Sequence, residues 1–343
     1  MENEQFHLSM FGLREQPFAP TADPTYFYAT QEHKSCLFRL WSSIDERHGI
    51  AVVLGNYGTG KTTLLRKLMT GMAADRQRYN TAVIGSPIPS WTSFSLLEAI
   101  VNQFNLKPSK RTFGDYMEAL SQYLMINRKR INTLIVDDAQ NLNKRGQLEL
   151  LRLVQNLETP QNKLLNLVFF SQLEWTRVLE AAPNFQQRIN FAYTLESLNG
   201  VDVKNFIKYR LAHAGAVSDK APQFTESAFG MISAYSGGNP RLIVSLCRNI
   251  LLFASQIRSR QIDHEMVYHT VQKTTMPDSE TQFRMDTAMR TFPGQVATKV
   301  PRNLPVVQNV PAFTSKAPEP NALISKPNSK RANDLLLKAE KLR

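Results

Sequence analysis

Ile50-Ala-Val-Val-Leu54-Gly55-Asn56-Tyr57-Gly58-Thr59-Gly60-Lys61-Thr62-Thr63 is the stretch on which the reading of this chain turns. Its first five residues are all apolar, as in a strand buried on both faces. Glycines follow at 55, 58 and 60, and a helical pattern then runs over Thr62–Met72. A buried strand, then G-x-x-x-x-G-K-[ST], then a helix is the order a phosphate cradle requires. Glycine lets the backbone wrap closely, so that successive N–H groups converge on phosphate oxygens. Lys61 can reach the outer phosphates, the Thr62 hydroxyl can coordinate Mg²⁺, and the helix start adds a favourable dipole. Gly55, Asn56, Tyr57, Gly58, Thr59, Gly60, Lys61, Thr62 and Thr63 are the candidate nucleotide-binding residues. A Gly-rich turn with no ligand is the alternative, and the full pattern in this setting speaks against it.

Working outward, Thr81–Ile84, Thr133–Val136 and Leu164–Phe170 are further continuous apolar runs. Thr92–Phe104, Thr112–Asn127 and Lys144–Leu157 have helical spacing between them. Apolar strands separated by helices predict a parallel sheet covered on both faces, an α/β fold. The run Thr133–Val136 ends in Asp137-Asp138. A carboxylate at the C-terminal end of a central parallel strand lies at the crevice beside the phosphate loop. Asp137 is thus expected to hold Mg²⁺ through water, and Asp138 to polarise an attacking water. The plainer reading of such a pair is a strand-to-loop cap.

From about Gly200 the pattern is helical: Val201–Gly215, Thr225–Tyr235, Pro240–Arg258 and Asp263–Gln272. Eight of the chain's 18 prolines fall at or after Pro277, and apolar periodicity stops there. That composition predicts an extended, mostly disordered segment over 276–331. Asn333-Asp334 and Leu335-Leu336-Leu337 then predict either a short capped helix, able to dock on a partner or on the chain's own body, or a fraying tail. The expected divisions are an α/β domain over 1–195, a small helical lid over 196–275 and a tail over 276–343.

The chain has 343 residues, 41 Lys+Arg against 29 Asp+Glu and a formal charge of +12, which fits an anionic partner such as nucleotide, nucleic acid or a lipid surface, or equally an ordinary basic soluble protein. No stretch approaches eighteen consecutive apolar residues, so no transmembrane helix is expected. The N-terminus lacks the features of a signal peptide. Two cysteines, Cys36 and Cys247, exclude a disulfide framework and fit a reducing cytoplasm.

The combination resembles the ExeA/GspA-like group of AAA+ ATPases. The likeness begins at Phe11-Gly-Leu-Arg-Glu-Gln-Pro-Phe18-Ala-Pro20-Thr-Ala-Asp23-Pro24 with Tyr26-Phe27-Tyr28. It continues through Asp137-Asp138-Ala139-Gln140-Asn141-Leu142 and Gln186-Gln187-Arg188-Ile189, and ends in Gly237-Gly238-Asn239-Pro240-Arg241. The resemblance implies ATP and Mg²⁺ as ligands and ATP hydrolysis as the activity. It implies that Ser171-Gln172 occupy a sensor position reading the γ-phosphate. It gives Arg188 as an arginine finger acting on a neighbouring copy, with Arg177 as rival, and Arg241 as a second sensor in the lid. A finger acting in trans implies an ATP-dependent homo-oligomer. Two departures stand out. The group usually has Asp-Glu where this chain has Asp137-Asp138, and the shorter carboxylate predicts slow turnover. Secretion-type members carry a membrane helix where this chain has its Pro-rich tail, which would be the contact to a protein client.

The implied task is assembly of a secretion, pilus or exopolysaccharide machine. The alternative is a DNA-binding adaptor resembling the transposition-regulator AAA+ ATPases. Lys107, Lys110 and Arg111, with Arg128, Lys129 and Arg130, could touch nucleic-acid phosphates or form a solvated face. Phe18, Tyr26, Phe27 and Tyr28 could wall an adenine site or serve as core.

Overall fold

The computed structural model describes residues 7–291, apart from 22 and 217–218. After helix α1 (Gln31–Asp45) come β1 (Ile50–Gly55), α2 (Lys61–Ala74), β2 (Tyr79–Ile84), α3 (Ser93–Gln103), α4 (Phe113–Ile126) and β3 (Ile131–Val136). The α/β part continues with α5 (Arg145–Gln155), β4 (Asn166–Ser171), short helices α6 (Trp175–Glu180) and α7 (Pro183–Gln186), and β5 (Ile189–Leu195). The five strands form one sheet in the order β2-β3-β4-β1-β5, all neighbours parallel.

Alternation along β1 explains why its whole run is apolar. Ile50, Val52 and Leu54 join Leu134, Val136, Leu167 and Phe169 on one face, under α3, α4 and α5. Ala51 and Val53 join Ile135, Val168 and Phe170 on the other, against α1 and α2. Period-two alternation places every second side chain on the opposite face, so a doubly covered strand has no polar side.

Strand β5 was not expected from the sequence. It has no apolar run: Ile189, Phe191 and Tyr193 are half-buried while Asn190, Ala192 and Thr194 are exposed. Among the described residues it is an edge strand paired to β1 alone, and its signal is alternation rather than continuity. Helix α1 was also missed. Its buried positions, His33, Cys36, Leu40 and Ile44, follow helical spacing but include one histidine and one cysteine.

The helices that follow, for which the label lid is kept, are α8 (Gly200–His213), α9 (Glu226–Ser236), α10 (Pro240–Gln256) and α11 (His264–Thr274). Two expectations need correction here. The segment following Met276 is not extended at its start: α12 (Ser279–Thr291) is a helix whose Met285 is buried in the lid core against α9 and α11. Pro277 lies before this helix, outside its hydrogen-bonded interior, so the proline count misleads. The N-terminal segment, assigned to the α/β division, puts Phe11, Leu13 and Phe18 into the lid core beside Val203, Phe206 and Ile250. The Arg14 amide donates to the Ala214 carbonyl at 2.8 Å, fixing that docking. The Leu335–Leu337 helix expected near the C-terminus lies outside the described residues.

Chain entry to the lid depends on Gly238. Its φ is +75°, and a Cβ there would sit 1.9 Å from the Leu198 carbonyl oxygen. The Leu198 amide donates to the Gly238 carbonyl at 2.9 Å, so α/β exit and lid turn are tied backbone to backbone.

Candidate phosphate-binding site

Helix α2 starts differently from its neighbours. Thr92, Thr112 and Asn199 cap α3, α4 and α8 by accepting a hydrogen bond from the N3 amide. At α2 the cap position is Gly60, in the left-handed region, with no side-chain cap bond. The first amides of a helix have no intrahelical acceptor, so an uncapped start offers N–H donors to an anion. Lys61 is buried at 8% exposure, and its Nζ donates to the carbonyls of Gly55 at 2.8 Å and Asn56 at 2.9 Å. Burial pushes its pKa below the ordinary lysine value, while the charges of Asp137, Asp138 and Glu174 oppose that shift.

The sheet order puts β4 between β1 and β3, so Asp137 leaves its strand two positions from the loop, about 10 Å. The Thr62 hydroxyl closes that gap by donating to Asp137 Oδ2 at 2.9 Å. Burial raises the Asp137 pKa; the bonds from Thr62 and from the Asp138 amide pull it down. Two hard oxygens are thus paired beside the uncapped helix, the donor type suited to Mg²⁺. Among the described residues no three His, Cys, Asp or Glu side chains could hold a metal together. A cation at Thr62 and Asp137 would take its further oxygen ligands from water or from phosphate.

Asp138 adopts φ +50°, a left-handed conformation that Asp tolerates better than most residues. Gln140, which carried only family likeness in the sequence, bridges three expected site residues. Its Nε2 donates to Asp138 Oδ1 at 3.0 Å, and its Oε1 accepts from Ser171 Oγ at 3.3 Å and from the Gln172 amide at 3.2 Å. Ser171 is fully buried, and its hydroxyl is engaged by Gln140. Gln172 and Asp138 do line the cavity.

That cavity has a volume of about 870 Å³ and joins the phosphate loop to the lid. Phe18, Tyr26, Phe27 and Tyr28 all line it, with Phe206, Arg210 and the α10 residues Arg241, Val244 and Arg248. Arg210 is buried between the rings of Tyr26, 4.9 Å from its guanidinium carbon, and Phe206, at 5.4 Å. Its Nε donates to the Pro17 carbonyl at 2.6 Å. His33 lies beneath the loop, its Nδ1 2.6 Å from Thr30 Oγ1. Burial lowers its pKa, against a bond to the Thr59 backbone that raises it.

The lid touches the loop at Tyr57. Asn239 Nδ2 donates to the Tyr57 carbonyl at 2.7 Å, and the Arg241 guanidinium donates to the Tyr57 hydroxyl and stands 4.6 Å from the ring centre. Gly58 makes this approach possible: at φ +82° its missing Cβ would lie 2.4 Å from Asn239 Oδ1. Asn239 and His33 had no role in the sequence reading, and only the Gly-Gly-Asn-Pro-Arg context pointed at the former. Arg188 stands apart from the cavity and donates to Asn156 Oδ1 at 2.7 Å. Arg177 lines a separate pocket of about 310 Å³ with Arg145.

Residues 44–179 match the AAA domain family. Over 263 residues the sequence is 33% identical to general secretion pathway protein A of Aeromonas hydrophila, covering 75% of this chain. The chain spans 46% of that relative's length. Cdc6p from Pyrobaculum aerophilum shares the fold with a TM-score of 0.57 at 20% identity, over 78% of this chain and 73% of that one. The Aeropyrum pernix ORC2 protein, in its ADPNP–ADP complexes, gives a TM-score of 0.53 at 15% identity, over 71% and 67%. Fold and site define a P-loop protein of the AAA+ class. Within that class the chain falls in the ExeA/GspA-like group.

Proposed function

We propose that this protein binds Mg-ATP at the phosphate loop and hydrolyses it slowly, gating assembly of a larger complex as in the ExeA/GspA-like group. The observation that carries the reading is the Thr62–Asp137 hydrogen bond at 2.9 Å beside an uncapped helix start. The bound cation would screen the phosphates and orient the outermost one. Lys61, freed from the Gly55 and Asn56 carbonyls, would donate to the β- and γ-phosphates. Asp138, held by Gln140, would orient the attacking water. Gln172 would sense the γ-phosphate beside it, and Ser171 would act through Gln140. The aromatic wall of Phe18, Tyr26, Phe27 and Tyr28 suits a flat base.

Arg241 lies over the loop and would leave Tyr57 for the γ-phosphate, closing the lid. Arg188 would complete the site of a neighbouring copy, so ATP and self-assembly would be coupled. The relative's printed name, general secretion pathway protein A, favours envelope assembly as the setting. Its client would be a protein of that machinery. A DNA adaptor finds less support, because Arg111 in one basic cluster is engaged bidentately by Glu98.

Sedimentation with and without a non-hydrolysable ATP analogue tests the reading. The native chain should associate with the analogue present, and Arg188→Ala should not. A monomer under both conditions removes Arg188 from this role. Turnover tests the slow-switch idea: Asp138→Glu should hydrolyse ATP faster, by up to about 100-fold. An equal or lower rate at unchanged thermal midpoint rejects it.

A further inference from the structure

Three loops meet at the opposite end of the sheet from the phosphate site. They precede β1, β2 and β3, at residues 46–49, 75–78 and 127–130. Arg47 Nη2 donates to the Arg130 carbonyl at 3.0 Å, and Arg130 Nη2 donates to the carbonyls of Arg76 and Tyr79, both at 2.7 Å. Two guanidinium groups thus bind the loops into one platform. On it stand Arg76, Arg78, Arg128 and Lys129, all exposed. Arg78 is paired with Asp45 at 2.9 Å, and the acids within these three loops are Glu46 and Asp75. With Asp45 the loops carry six cationic side chains, Arg47 and Arg130 included, against three acidic ones, and the intervening loop before β4 adds Glu158 paired with Lys163. Among the described residues neither Arg76 nor Lys129 has an acidic partner within ion-pair distance.

The apolar neighbours of this platform decide what it fits. Ile126 is 79% exposed and Met125 40%, at the end of α4 where the chain enters Asn127–Arg130. The loops carry no Phe, Tyr or Trp. Single-stranded nucleic acid is held by aromatic stacking, and duplex by charge and hydrogen bonding to phosphates. An aliphatic tip ringed by Arg and Lys instead matches a surface with anionic headgroups above an apolar layer. The other basic cluster does not extend this patch. Lys107–Arg111 precedes the far end of α4, about 20 Å away along its axis.

We infer that the N-terminal edge of the sheet is a docking surface for an anionic lipid bilayer, with Arg76, Arg128 and Lys129 on headgroups and Ile126 dipping between them. This orientation leaves the nucleotide cavity facing away from the membrane, because the cavity lies at the other end of the same strands. It goes beyond the ATP reading and does not depend on it.

The test is vesicle co-sedimentation of the full chain at low salt. Vesicles of phosphatidylcholine mixed with phosphatidylglycerol should pellet the native protein, and phosphatidylcholine alone should not. Arg76→Gln/Arg128→Gln/Lys129→Gln should lower partitioning by about 100-fold, since each basic group near an anionic surface contributes about fivefold. Ile126→Ser should lower it several-fold with no change of charge. ATP affinity and thermal midpoint of these variants should match the native chain. Failure of the native protein to pellet with the anionic vesicles overturns the inference. So does native-level binding by the triple variant. Duplex DNA binding that needs the three cations and ignores Ile126, without vesicle binding, would assign the platform to nucleic acid instead.

Discussion

The two ends of the same parallel strands present their cationic and N–H groups in opposite ways. Where β1 and β3 end, the groups are few, buried and fixed: backbone amides, Lys61 at 8% exposure and Asp137 at 7%. Where β1, β2 and β3 begin, the cations are numerous and mostly exposed; Arg47 and Arg130 are tied to backbone carbonyls of neighbouring loops, and Arg128 to that of Met125 in its own. A buried group acts through a low-dielectric surrounding and has no substitute when removed. An exposed one is screened by salt and shares its work with its neighbours. The difference predicts single large effects at one end and small, additive, salt-sensitive effects at the other.

The sharpest break is at Lys61. Lys61→Ala should weaken ATP binding by at least about 100-fold, the loss of charge-assisted bonds to phosphate. Calorimetric titration checks it, and a tenfold effect or less would place Lys61 outside the ligand's reach. A smaller change is expected where the lid meets the loop. Arg241→Ala should weaken ATP by about tenfold and ADP much less, since its partner would be the γ-phosphate. Tyr57→Phe removes only the hydroxyl that holds Arg241 and should modestly strengthen ATP binding. Equal losses for ATP and ADP would show that Arg241 does not distinguish them.

The smallest effect concerns pH. His33, under the loop, has a lowered pKa because burial disfavours its charged form. The unfolded chain therefore takes up a proton near pH 6.5 before the folded chain does. Stability contributed by neutral His33 is complete above that pH and declines as pH falls toward the folded value. Thermal unfolding at pH 7 and pH 5 should show a drop in midpoint that is smaller in His33→Gln. An identical drop would move the acid sensitivity to other groups.

What could be read in the sequence follows the same division between buried and exposed. The strand–loop–helix at Ile50–Met72 is legible because burial on both faces forces an unbroken apolar run and phosphate binding forces fixed glycines. Asp137 is legible for the same reason, at the end of a buried strand. Strand β5 is not, because an edge strand needs only alternate apolar residues. Gln140 is not, because its bridging of Asp138, Ser171 and Gln172 exists only once β3 and β4 lie side by side. Helix α12 escaped because its apolar face is short, with Met285 as its one fully buried hydrophobic side chain. The docking of Phe11 and Phe18 into the lid, far along the chain, carries no local signal at all.

The most direct measurement is ATP titration with and without Mg²⁺ on the native chain and on Asp137→Asn. The native protein should bind ATP more tightly with Mg²⁺, and the variant should lose that difference while keeping its Mg²⁺-free affinity. Absence of binding at millimolar ATP, or an undiminished Mg²⁺ effect in Asp137→Asn, would contradict a shared site at Thr62 and Asp137.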